Sequence, residues 1–259
     1  MLNSKGIISV IIPTLNEQSG IEETIRGIPE STLCSDLGYE LEIIVVDGQS
    51  TDSTRELAAK MGAKVIVEKT RGYGRALKSG FKVAKGEIIV TIDADSTYPV
   101  DALPLYICEL EQGNLDFITI NRFSHMEKGV MSLTRRIGNK ILTYLTKLLY
   151  SLDLRDSQSG MWIMKRDFLS SIELSSDGMS LSEEIKIIAF KFFRSKEIDG
   201  KYYSRNGDAK LRVYYDGWEN LRYLFQFRKK INSAVRTAER PEGKASDSEV
   251  THPTVKKAF

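Results

Sequence analysis

The feature of this sequence that most constrains its fold is a regular alternation of short apolar segments with longer amphipathic segments in its first half. The apolar segments are rich in valine and isoleucine, and five are predicted to be strands: Ile8–Ile12, Glu42–Val46, Lys64–Val67, Glu87–Ile92 and Phe117–Ile120. Four segments between them have helical length and periodicity: Glu17–Ile28, Thr51–Met61, Gly74–Ala84 and Pro99–Glu111. Almost wholly apolar strands that alternate with helices predict βαβ units and a mostly parallel sheet covered on both faces.

The second half of the chain, after Asn121, has a different pattern. The segment Val130–Leu152 has the spacing of one long amphipathic helix, in which leucines and isoleucines alternate with arginines and lysines. Four further elements are predicted, first two strands and then two helices: Gly160–Lys165, Glu197–Tyr203, Leu181–Arg194 and Gly217–Arg236. Residues 237–259 hold few large apolar side chains, so we predict a disordered tail there.

Composition excludes several classes of protein. Of the 259 residues, 41% are hydrophobic and 28% are charged, which is ordinary for a globular protein. The two cysteines and two histidines are too few for a disulfide framework, a histidine-based zinc site or a Ser-His-Asp triad. The sequence has neither an apolar run near the roughly 20 residues of a transmembrane helix nor a signal peptide. We therefore expect a cytoplasmic protein, either free or peripheral on the cytosolic face of a membrane.

The charge of the chain is divided between its two halves. Residues 1–120 hold 18 acidic and 11 basic side chains, a net charge of −7. Residues 121–240 hold 14 acidic and 23 basic side chains, a net charge of +9, and the total of +2 hides this asymmetry. An acidic half joined to a basic half suggests a cation site that faces an anion-binding surface.

Two carboxylates, Asp93 and Asp95, directly follow the apolar strand Glu87–Ile92. Ligands of parallel sheets bind at the carboxyl ends of the strands, and side chains two residues apart on extended backbone point the same way. Mg²⁺ and Mn²⁺ bind oxygen ligands, often one or two carboxylates together with substrate phosphates. Asp93 and Asp95 are therefore candidate metal ligands, and the alternative is a pair of loop acids that cap the next helix.

Polar residues follow two other predicted strands at the same edge of the sheet. The strand that begins at Ile8 runs into a segment with Pro13 and Glu17, and the strand that begins at Glu42 runs into a segment that starts with Asp47. Turn chemistry alone does not easily explain three strand ends that bring acidic side chains to one crevice. We therefore expect a functional site at this edge.

Eight short motifs occur in a characteristic order and spacing: Pro13–Glu17, Asp47–Asp52, Gly72–Ala76, Asp93–Asp95, Tyr98–Pro99, Asn121–Phe123, Asp156–Met161 and Arg205–Leu211. This ordered set resembles that of the family-2 glycosyltransferases, which have a GT-A nucleotide-sugar fold. Within that family it looks most like the polyprenyl-phosphate glycosyltransferases of the dolichol-phosphate mannose synthase type. The resemblance covers about residues 7–228.

The resemblance implies a fold, a domain division and a reaction. The fold would be a Rossmann-like, mostly parallel GT-A sheet flanked by helices, in a single catalytic domain of residues 1–236. Residues 1–120 would bind the nucleotide sugar, and residues 121–236 would form a partly helical acceptor side. The reaction would move a hexose or N-acetylhexosamine from a GDP- or UDP-sugar to dolichyl or another polyprenyl phosphate, with inversion and with Mg²⁺ or Mn²⁺. The partners would be these substrates and a membrane surface, without nucleic acid.

The resemblance also assigns roles to individual residues. Five would bind the nucleotide sugar: Pro13, Glu17, Asp47, Asp93 and Asp95. Asp93 and Asp95 would also hold the metal, which neutralises charge on the leaving nucleoside diphosphate. Four residues of the basic half would bind the diphosphate or the acceptor phosphate: Arg122, Arg136, Ser159 and Arg205. Arginine suits this role because its planar guanidinium binds phosphate oxygens in pairs. The expected catalytic residues are Asp95, Arg122 and Arg205.

The acceptor determines whether the reaction needs a general base. A hydroxyl acceptor requires one, whereas a lipid phosphate is already ionised near neutral pH. Glu183 and Glu184 are candidates for a base, but they can equally be exposed charges on a helix. The sequence lacks the Gln-x-x-Arg-Trp motif of processive polysaccharide synthases. A polyprenyl phosphate is therefore the favoured acceptor, and a hydroxyl of a glycan or small molecule is the alternative.

Two other classes of protein remain as rival hypotheses. A non-catalytic nucleotide-sugar-binding relative would keep the fold without turnover, but Asp93, Asp95, Arg122 and Arg205 are all present. A nucleotidyltransferase also uses an α/β sheet and metal-binding acids, but no glycine-rich basic loop follows the first predicted strand. The helix predicted at Val130–Leu152 can lie in a membrane interface or pack on the sheet as an ordinary amphipathic helix.

Overall fold

The computed structural model describes residues 4–126, 129–207 and 213–238. Its strands are β1 Ile7–Thr14, β2 Glu40–Asp47, β3 Lys64–Val67, β4 Ile88–Thr91, β5 Phe117–Met126, β6 Trp162–Lys165 and β7 Ser195–Tyr202. Its α-helices are α1 Ile21–Arg26, α2 Thr54–Lys60, α3 Tyr73–Val83, α4 Leu103–Gln112, α5 Leu133–Tyr150, α6 Arg166–Ser171, α7 Leu181–Phe192 and α8 Val213–Ala238. A π-helical turn at Thr32–Asp36 and a 3₁₀ turn at Val100–Ala102 complete the described elements.

All seven strands belong to one sheet in the order β3-β2-β1-β4-β6-β5-β7. Strands β1 to β4 are parallel to one another, and β5 is parallel to β7. Strand β6 is antiparallel to both of its neighbours, and Trp162 at its start pairs with Thr91 near the end of β4. The start of β6 therefore lies at the same sheet edge as the carboxyl end of β4. The predicted α/β class and mostly parallel sheet are confirmed.

The central strands are apolar throughout because the sheet has a hydrophobic core on each face. In β1, Val10 and Ile12 pack into one core, and the intervening Ile11 packs into the other. Strand β2 divides in the same way, with Val45 in the first core and Ile44 in the second. Because side chains alternate along a strand, both sets must be apolar when both faces are covered.

The loops after β1, β2 and β4 each contain a residue with a left-handed backbone: Asn16 at φ 54°, Gln49 at φ 69° and Ser96 at φ 60°. The first of these loops makes helix α1 start at Ile21 rather than at the predicted Glu17. After the left-handed Asn16, residues 18–20 form a turn, in which the Gly20 amide donates to the Glu17 carbonyl at 3.1 Å, and the helix begins only after it. The predicted helix start was therefore wrong by four residues.

Helix α5 is shorter than the predicted segment Val130–Leu152. Ser132 caps its start by accepting a hydrogen bond from the Arg135 amide at 3.4 Å, and Ser151 ends it in a left-handed conformation. The sequence predicts one apolar side made of Ile137, Ile141, Leu142, Leu145, Leu148 and Leu149. The structure divides these residues between two faces, so this prediction was wrong. Leu142 is buried, whereas four large apolar side chains and one tyrosine are exposed: Leu133, Ile137, Ile141, Leu148 and Tyr144.

Helix α8 extends the predicted C-terminal helix at both ends, from Val213 to Ala238. Residues 237 and 238 of the predicted tail are therefore helical, and residues 239–259 lie outside the described residues. Within the described ranges, no helix is both long and apolar enough to cross a membrane.

Candidate active site

The loops after β1 and β2 are joined by hydrogen bonds at the carboxyl edge of the sheet. The Asn16 amide donates to Ser50 Oγ at 2.8 Å, and the Glu17 amide donates to Thr54 Oγ1 at 2.9 Å. In return, the Thr51 amide donates to Asn16 Oδ1 at 2.8 Å. These bonds hold the two loops as one rigid unit and place Glu17 in a buried position.

Asp47 is fully buried at the end of β2. Its Oδ2 accepts a hydrogen bond from the Ser50 amide at 2.9 Å, and Arg55 Nε lies 3.9 Å from the same oxygen. Its Oδ1 lies 3.4 Å from the Thr14 hydroxyl, which belongs to the neighbouring strand. Pro13, also on β1, pairs in register with the residue before Asp47 and is half-buried. Asp47 thus fixes both its own loop and the end of β1.

Asp93 and Asp95 follow β4 and have different environments. Asp95 is 3% exposed, and its Oδ1 accepts a hydrogen bond from the Thr97 hydroxyl at 2.7 Å. Asp93 is half-buried, and its Oδ1 accepts a hydrogen bond from the Tyr73 hydroxyl at 3.1 Å. Burial, together with the nearby Asp95 charge, raises the pKa of Asp93 to about 6. The Asp95 charge therefore acts with burial against ionisation of Asp93, and a cation bound near both carboxylates would relieve that repulsion.

Arg205 joins the two ends of this site. Its Nη2 lies 3.1 Å from Glu17 Oε1 and 3.2 Å from Asp95 Oδ2. Its Nε is buried without a hydrogen-bond acceptor among the described residues. Buried polar groups are rarely left unpaired, so this N–H is a candidate donor to an anionic ligand. Of the motif Arg205–Leu211, residues 208–211 lie outside the described residues.

Arg122, at the middle of β5, is buried and paired with Asp156. Arg122 Nε and Nη2 donate to the two Asp156 oxygens at 2.7 and 2.9 Å, and the Arg122 amide donates to the same carboxylate at 3.1 Å. Burial works to raise the pKa of Asp156, but the Arg122 charge, the hydrogen bonds from Arg122 and the Lys186 charge together outweigh it and hold that pKa below its usual value. The Arg122 guanidinium also lies 5.4 Å from the Tyr202 ring centroid. Two of its three nitrogens are therefore already engaged within the protein.

Residues 157–160, which precede β6, form one wall of the site, and we call them the 157–160 segment. Ser159 is fully buried, and its Oγ lies 3.4 Å from the Tyr98 hydroxyl, which accepts the Gly160 amide at 2.6 Å. A Cβ added at Gly160 would lie 2.7 Å from the Tyr73 hydroxyl and 2.9 Å from an Asp93 carboxylate oxygen. A side chain at this position would therefore require the Tyr73 hydroxyl or the Asp93 carboxylate to move.

An open cleft of about 390 Å³ lies beside these groups. Asp93, Ser96 and Tyr98 line it on the side of β4, and Ser204 and Asn206 line it on the side of the Arg205 segment. Of the residues that the sequence assigns to the site, Asp93 lines this cleft, and Arg205, which pairs with Glu17 and Asp95, lies between the lining residues Ser204 and Asn206 in the chain. Arg136 differs, because it is exposed on α5 and its side chain forms no ion pair with the described residues.

Helix α7 contains charged residues whose position the sequence interpretation missed. Residues 181–189 are all buried, and they include Glu183, Glu184 and Lys186. The interpretation of the two glutamates as exposed charges is wrong: Glu184 accepts bonds from the Ser175 and Ser176 amides, each at 2.8 Å. The available signal was the apolar run that continues through this segment, since four of its residues are Ile185, Ile187, Ile188 and Ala189.

The fold and the cleft define a class of protein. The structure of glucosyl-3-phosphoglycerate synthase from Mycobacterium tuberculosis, with Mn²⁺, UDP-glucose and phosphoglyceric acid, matches with a TM-score of 0.70 at 22% identity, covering 87% of this chain and 80% of that one. The same enzyme with Mg²⁺ and UDP matches with a TM-score of 0.65. These structures show that the fold is that of the GT-A glycosyltransferases.

The chain belongs to glycosyl transferase family 2, whose family model matches residues 9–172. It is 33% identical to the low-salt glycan biosynthesis hexosyltransferase Agl6 of Haloferax volcanii, over 84% of this chain and 52% of Agl6. It is 30% identical to the dolichyl-phosphate hexose transferase of the same organism, over 81% of this chain and 89% of that protein. The dolichol-phosphate mannosyltransferase of Pyrococcus furiosus is also 30% identical, over 86% of this chain and 64% of that protein. The family resemblance inferred from the motifs is confirmed, and the chain spans about half the length of Agl6.

Proposed function

We propose that this protein is a metal-dependent, inverting glycosyltransferase that moves a hexose or N-acetylhexosamine from a GDP- or UDP-sugar to a polyprenyl phosphate such as dolichyl phosphate. The observation that carries the proposal is Arg205, which pairs with Glu17 and Asp95 and keeps a buried Nε donor without an acceptor among the described residues. One cleft region therefore combines carboxylates for a cation with an N–H for an anion. The names of two relatives, a dolichyl-phosphate hexose transferase and a dolichol-phosphate mannosyltransferase, support the acceptor.

The nucleotide sugar binds at the loops after β1, β2 and β4 in this proposal. Asp47 and Pro13 border the nucleoside, and Glu17 lies between the nucleoside and Arg205. The hydrogen bonds between the first two loops support this role, because they build the pocket before the ligand arrives. A rigid pocket loses less entropy when it binds a ligand than a pocket that must first become ordered.

The residues of the site fit a divalent cation of the Mg²⁺ or Mn²⁺ class. Asp93 and Asp95 are two carboxylates on one short loop, and burial together with the neighbouring Asp95 charge raises the pKa of Asp93. Within the described ranges, no group of three or more His, Cys, Asp or Glu side chains can hold a metal. Two carboxylates suit an ion whose remaining ligands come from substrate phosphates and water. A bound ion of this kind supplies charge neutralisation at the diphosphate leaving group.

The transfer itself is a direct displacement at the anomeric carbon. An oxygen of the acceptor phosphate forms a bond to that carbon, and the bond from the carbon to the nucleoside diphosphate breaks with its electron pair on the diphosphate oxygen. Arg205 Nε donates to a phosphate oxygen in the cleft, and Arg122 holds the β5 end of the site through Asp156. Holding both reactants in line converts a bimolecular step into an effectively intramolecular one.

The positions of the two candidate bases, Glu183 and Glu184, favour an acceptor that is already ionised and needs no base. Glu183 and Glu184 are fully buried, and each is hydrogen-bonded within the protein. Burial raises the pKa of Glu183 to about 8, so this carboxyl is mostly protonated near neutral pH. Neither residue lines the cleft, so neither is placed to take a proton from a hydroxyl acceptor, which favours a phosphate acceptor.

The exposed face of α5 supports peripheral binding to a membrane that carries the lipid acceptor. Its apolar side chains are 49–72% exposed over four turns of helix: Leu133, Ile137, Ile141, Tyr144 and Leu148. Basic residues accompany them on the same helix: Arg135, Arg136, Lys140 and Lys147. Apolar side chains next to basic ones favour the interface of a membrane with anionic lipids. In this proposal the protein works at the cytosolic face of such a membrane.

Release of nucleoside diphosphate tests the function. The purified protein is incubated with each GDP- or UDP-sugar, with and without Mn²⁺ and with and without a polyprenyl phosphate in detergent. We expect release only when metal and lipid are both present, and a product mass equal to the lipid plus one sugar. Release with a glycan or small-molecule hydroxyl acceptor, and none with the lipid, would contradict the proposal.

A further inference from the structure

A lysine of α7 is buried directly behind the 157–160 segment. Lys186 is fully buried, and its Nζ donates to the Ser159 carbonyl at 2.6 Å, the Ser157 carbonyl at 2.9 Å and the Ser182 hydroxyl at 3.1 Å. An ammonium group has three hydrogens, so all three donors find acceptors. Two of those acceptors are backbone carbonyls of the segment that forms a wall of the site.

The 157–160 segment is thus held from two sides. Behind it, the Ser159 carbonyl also accepts bonds from Trp162 Nε1 at 2.8 Å and from the Ser182 hydroxyl at 2.9 Å. On the side of the cleft, the Gly160 amide donates to the Tyr98 hydroxyl, and a Cβ added at Gly160 would lie 2.9 Å from an Asp93 oxygen. A shift of the segment toward or away from α7 would therefore change the space beside Asp93.

The position of Lys186 is expensive, because burial of a charged amine is unfavourable. Burial and the Arg122 charge lower the pKa of Lys186 to about 7, against the opposing effects of Asp156, Glu197 and Glu183. No carboxylate of the described residues forms an ion pair with the ammonium group. The Lys186 ammonium group is stabilised mainly by the carbonyls of the 157–160 segment. We therefore infer that its main effect is to fix the position of this segment and not to stabilise helix α7.

We propose that Lys186 is a positioning residue, which holds the 157–160 segment against helix α7 and thereby sets the distance between Gly160 and the reacting groups at Asp93. The role of the 157–160 segment in sugar transfer rests on the proposed function. The claim that Lys186 holds this segment against α7 does not depend on that function. None of the residues assigned to catalysis by the family motifs touches the ammonium group, and the sequence alone places Lys186 in an ordinary helix.

The experiment uses Trp162 as the reporter. The chain has two tryptophans, and Trp218 is 67% exposed, so Trp218→Phe leaves only the buried Trp162, whose ring centroid lies 5.8 Å from Lys186 Nζ. Its fluorescence is titrated between pH 5.5 and 8.5, a range of about 3 pH units around the Lys186 pKa. The same titration is run on two double variants, Trp218→Phe with Lys186→Met and Trp218→Phe with Lys191→Met. Lys191 is an exposed lysine of the same helix and serves as the matched control.

Asp93, with a pKa of about 6, and Glu183, with a pKa of about 8, titrate in the same window. We therefore expect a component with a midpoint near pH 7 in the Trp218→Phe protein and in the Lys191→Met control, and the loss of that component with Lys186→Met. Lys186→Met should fold, because methionine fills the same space and both carbonyls keep another donor. Its melting temperature is measured first to establish this. The same titration in all three proteins, or a transition in none of them, would overturn the proposal.

Kinetic measurements distinguish a positioning role of Lys186 from a purely structural role. Lys186→Met should lower kcat about tenfold or more while the nucleoside diphosphate dissociation constant, measured by calorimetry with Mn²⁺, changes less than about twofold. An unchanged kcat would show that the lysine only fills space and would overturn its positioning role. Failure of the unmodified protein to transfer sugar to any lipid phosphate would count against the proposed function, and the fluorescence arm would still decide whether Lys186 holds the segment.

Discussion

Arg205 Nη2 lies 3.2 Å from the Asp95 carboxylate, although the two residues lie in different halves of the chain. In the described structure the arginine is the cation nearest to a proposed metal ligand. Arg205 also pairs with the buried Glu17, so its single positive charge interacts with two carboxylates. The free protein thus stabilises its acidic crevice with a positive group of its own.

The first prediction is that Arg205→Met makes stability more dependent on divalent cations. Removing one partner of a buried ion pair leaves an uncompensated charge and costs on the order of 3 kcal/mol. Added Mn²⁺ should therefore raise the melting temperature of Arg205→Met more than that of the unmodified protein, while transfer falls about 100-fold. Arg222→Met, at an exposed position of α8, is the control. Equal Mn²⁺ effects on both variants would contradict the assigned role.

The second prediction concerns the glycine beside Asp93. Gly160→Ala places a Cβ 2.7 Å from the Tyr73 hydroxyl and 2.9 Å from an Asp93 oxygen, so these groups must move. A displacement of about 1 Å near reacting groups can cost about 100-fold in rate, and we expect a loss of that size in kcat. Gly138→Ala, on α5, meets no atom within 4 Å and should keep full activity. Similar kinetics for the two variants would show that the wall tolerates a side chain.

The third prediction separates stability from activity at the Arg122–Asp156 pair. Arg122→Met and Asp156→Leu each leave a buried charge unpaired and should each reduce the free energy of unfolding by about 3–5 kcal/mol. The double variant should recover much of that loss in urea denaturation, because no unpaired charge remains. It should stay inactive in transfer. Strictly additive losses would show that the two residues contribute independently.

Acid denaturation provides a second readout of this pair. The folded-state pKa of Asp156 is held below its usual value, so its contribution to stability is fully present above the ordinary aspartate pKa of about 3.9. That contribution is lost as the pH falls through the folded-state pKa. The double variant should therefore lose less stability below pH 4 than the unmodified protein.

The fourth prediction is a pH dependence of stability from Glu183. Burial raises its folded-state pKa to about 8, so the stability that it contributes is present below its ordinary pKa and is lost as the pH rises toward 8. Linkage gives a decline of about 1.4 kcal/mol per pH unit between those values. Glu183→Gln should remove this slope, as measured by urea denaturation at several pH values. Glu173→Gln, at an exposed position, should keep it.

The fifth prediction tests the exposed face of α5 in a liposome flotation assay. Ile141→Glu should weaken binding to anionic vesicles about tenfold or more, since burial of an isoleucine side chain contributes about 1.5–3 kcal/mol. Leu105→Glu is the matched control, because Leu105 is 72% exposed on α4, outside this face. If the unmodified protein fails to float with vesicles that contain polyprenyl phosphate, the membrane role of α5 is excluded.

Much of the fold could be predicted because the decisive signals are local. Six of the seven strands were expected within two residues at each end, and β5 starts at the predicted Phe117 but continues six residues past the predicted end, to Met126. The strands in the middle of the sheet are apolar runs covered on both faces, which give a clear sequence signal. The loop conformations could not be predicted in this way. The left-handed Asn16 depends on hydrogen bonds to residues about 34 positions away, so the start of α1 was placed too early.

The candidate site was also predicted only in part from the sequence. The ordered motifs brought Glu17 and Arg205 into one hypothesis, and they pair across 188 residues of sequence. The burial of Lys186 could not be predicted from the sequence, because its acceptors are backbone carbonyls 27 and 29 residues away. Every residue type has a backbone carbonyl, so the sequence does not indicate which one accepts a hydrogen bond. The assigned binding roles and the division into two halves remain predictions.

The antiparallel strand β6 has a consequence for how this protein can change. Because β6 starts where β4 ends, the 157–160 segment and the loop that carries Asp93 lie at the same edge of the sheet. The segment is tied to the strands there, since the Thr91 hydroxyl donates to the Gly160 carbonyl at 2.8 Å and Asp156 pairs with the buried Arg122. An exchange of this connection between relatives would therefore have to keep Asp156 and Gly160.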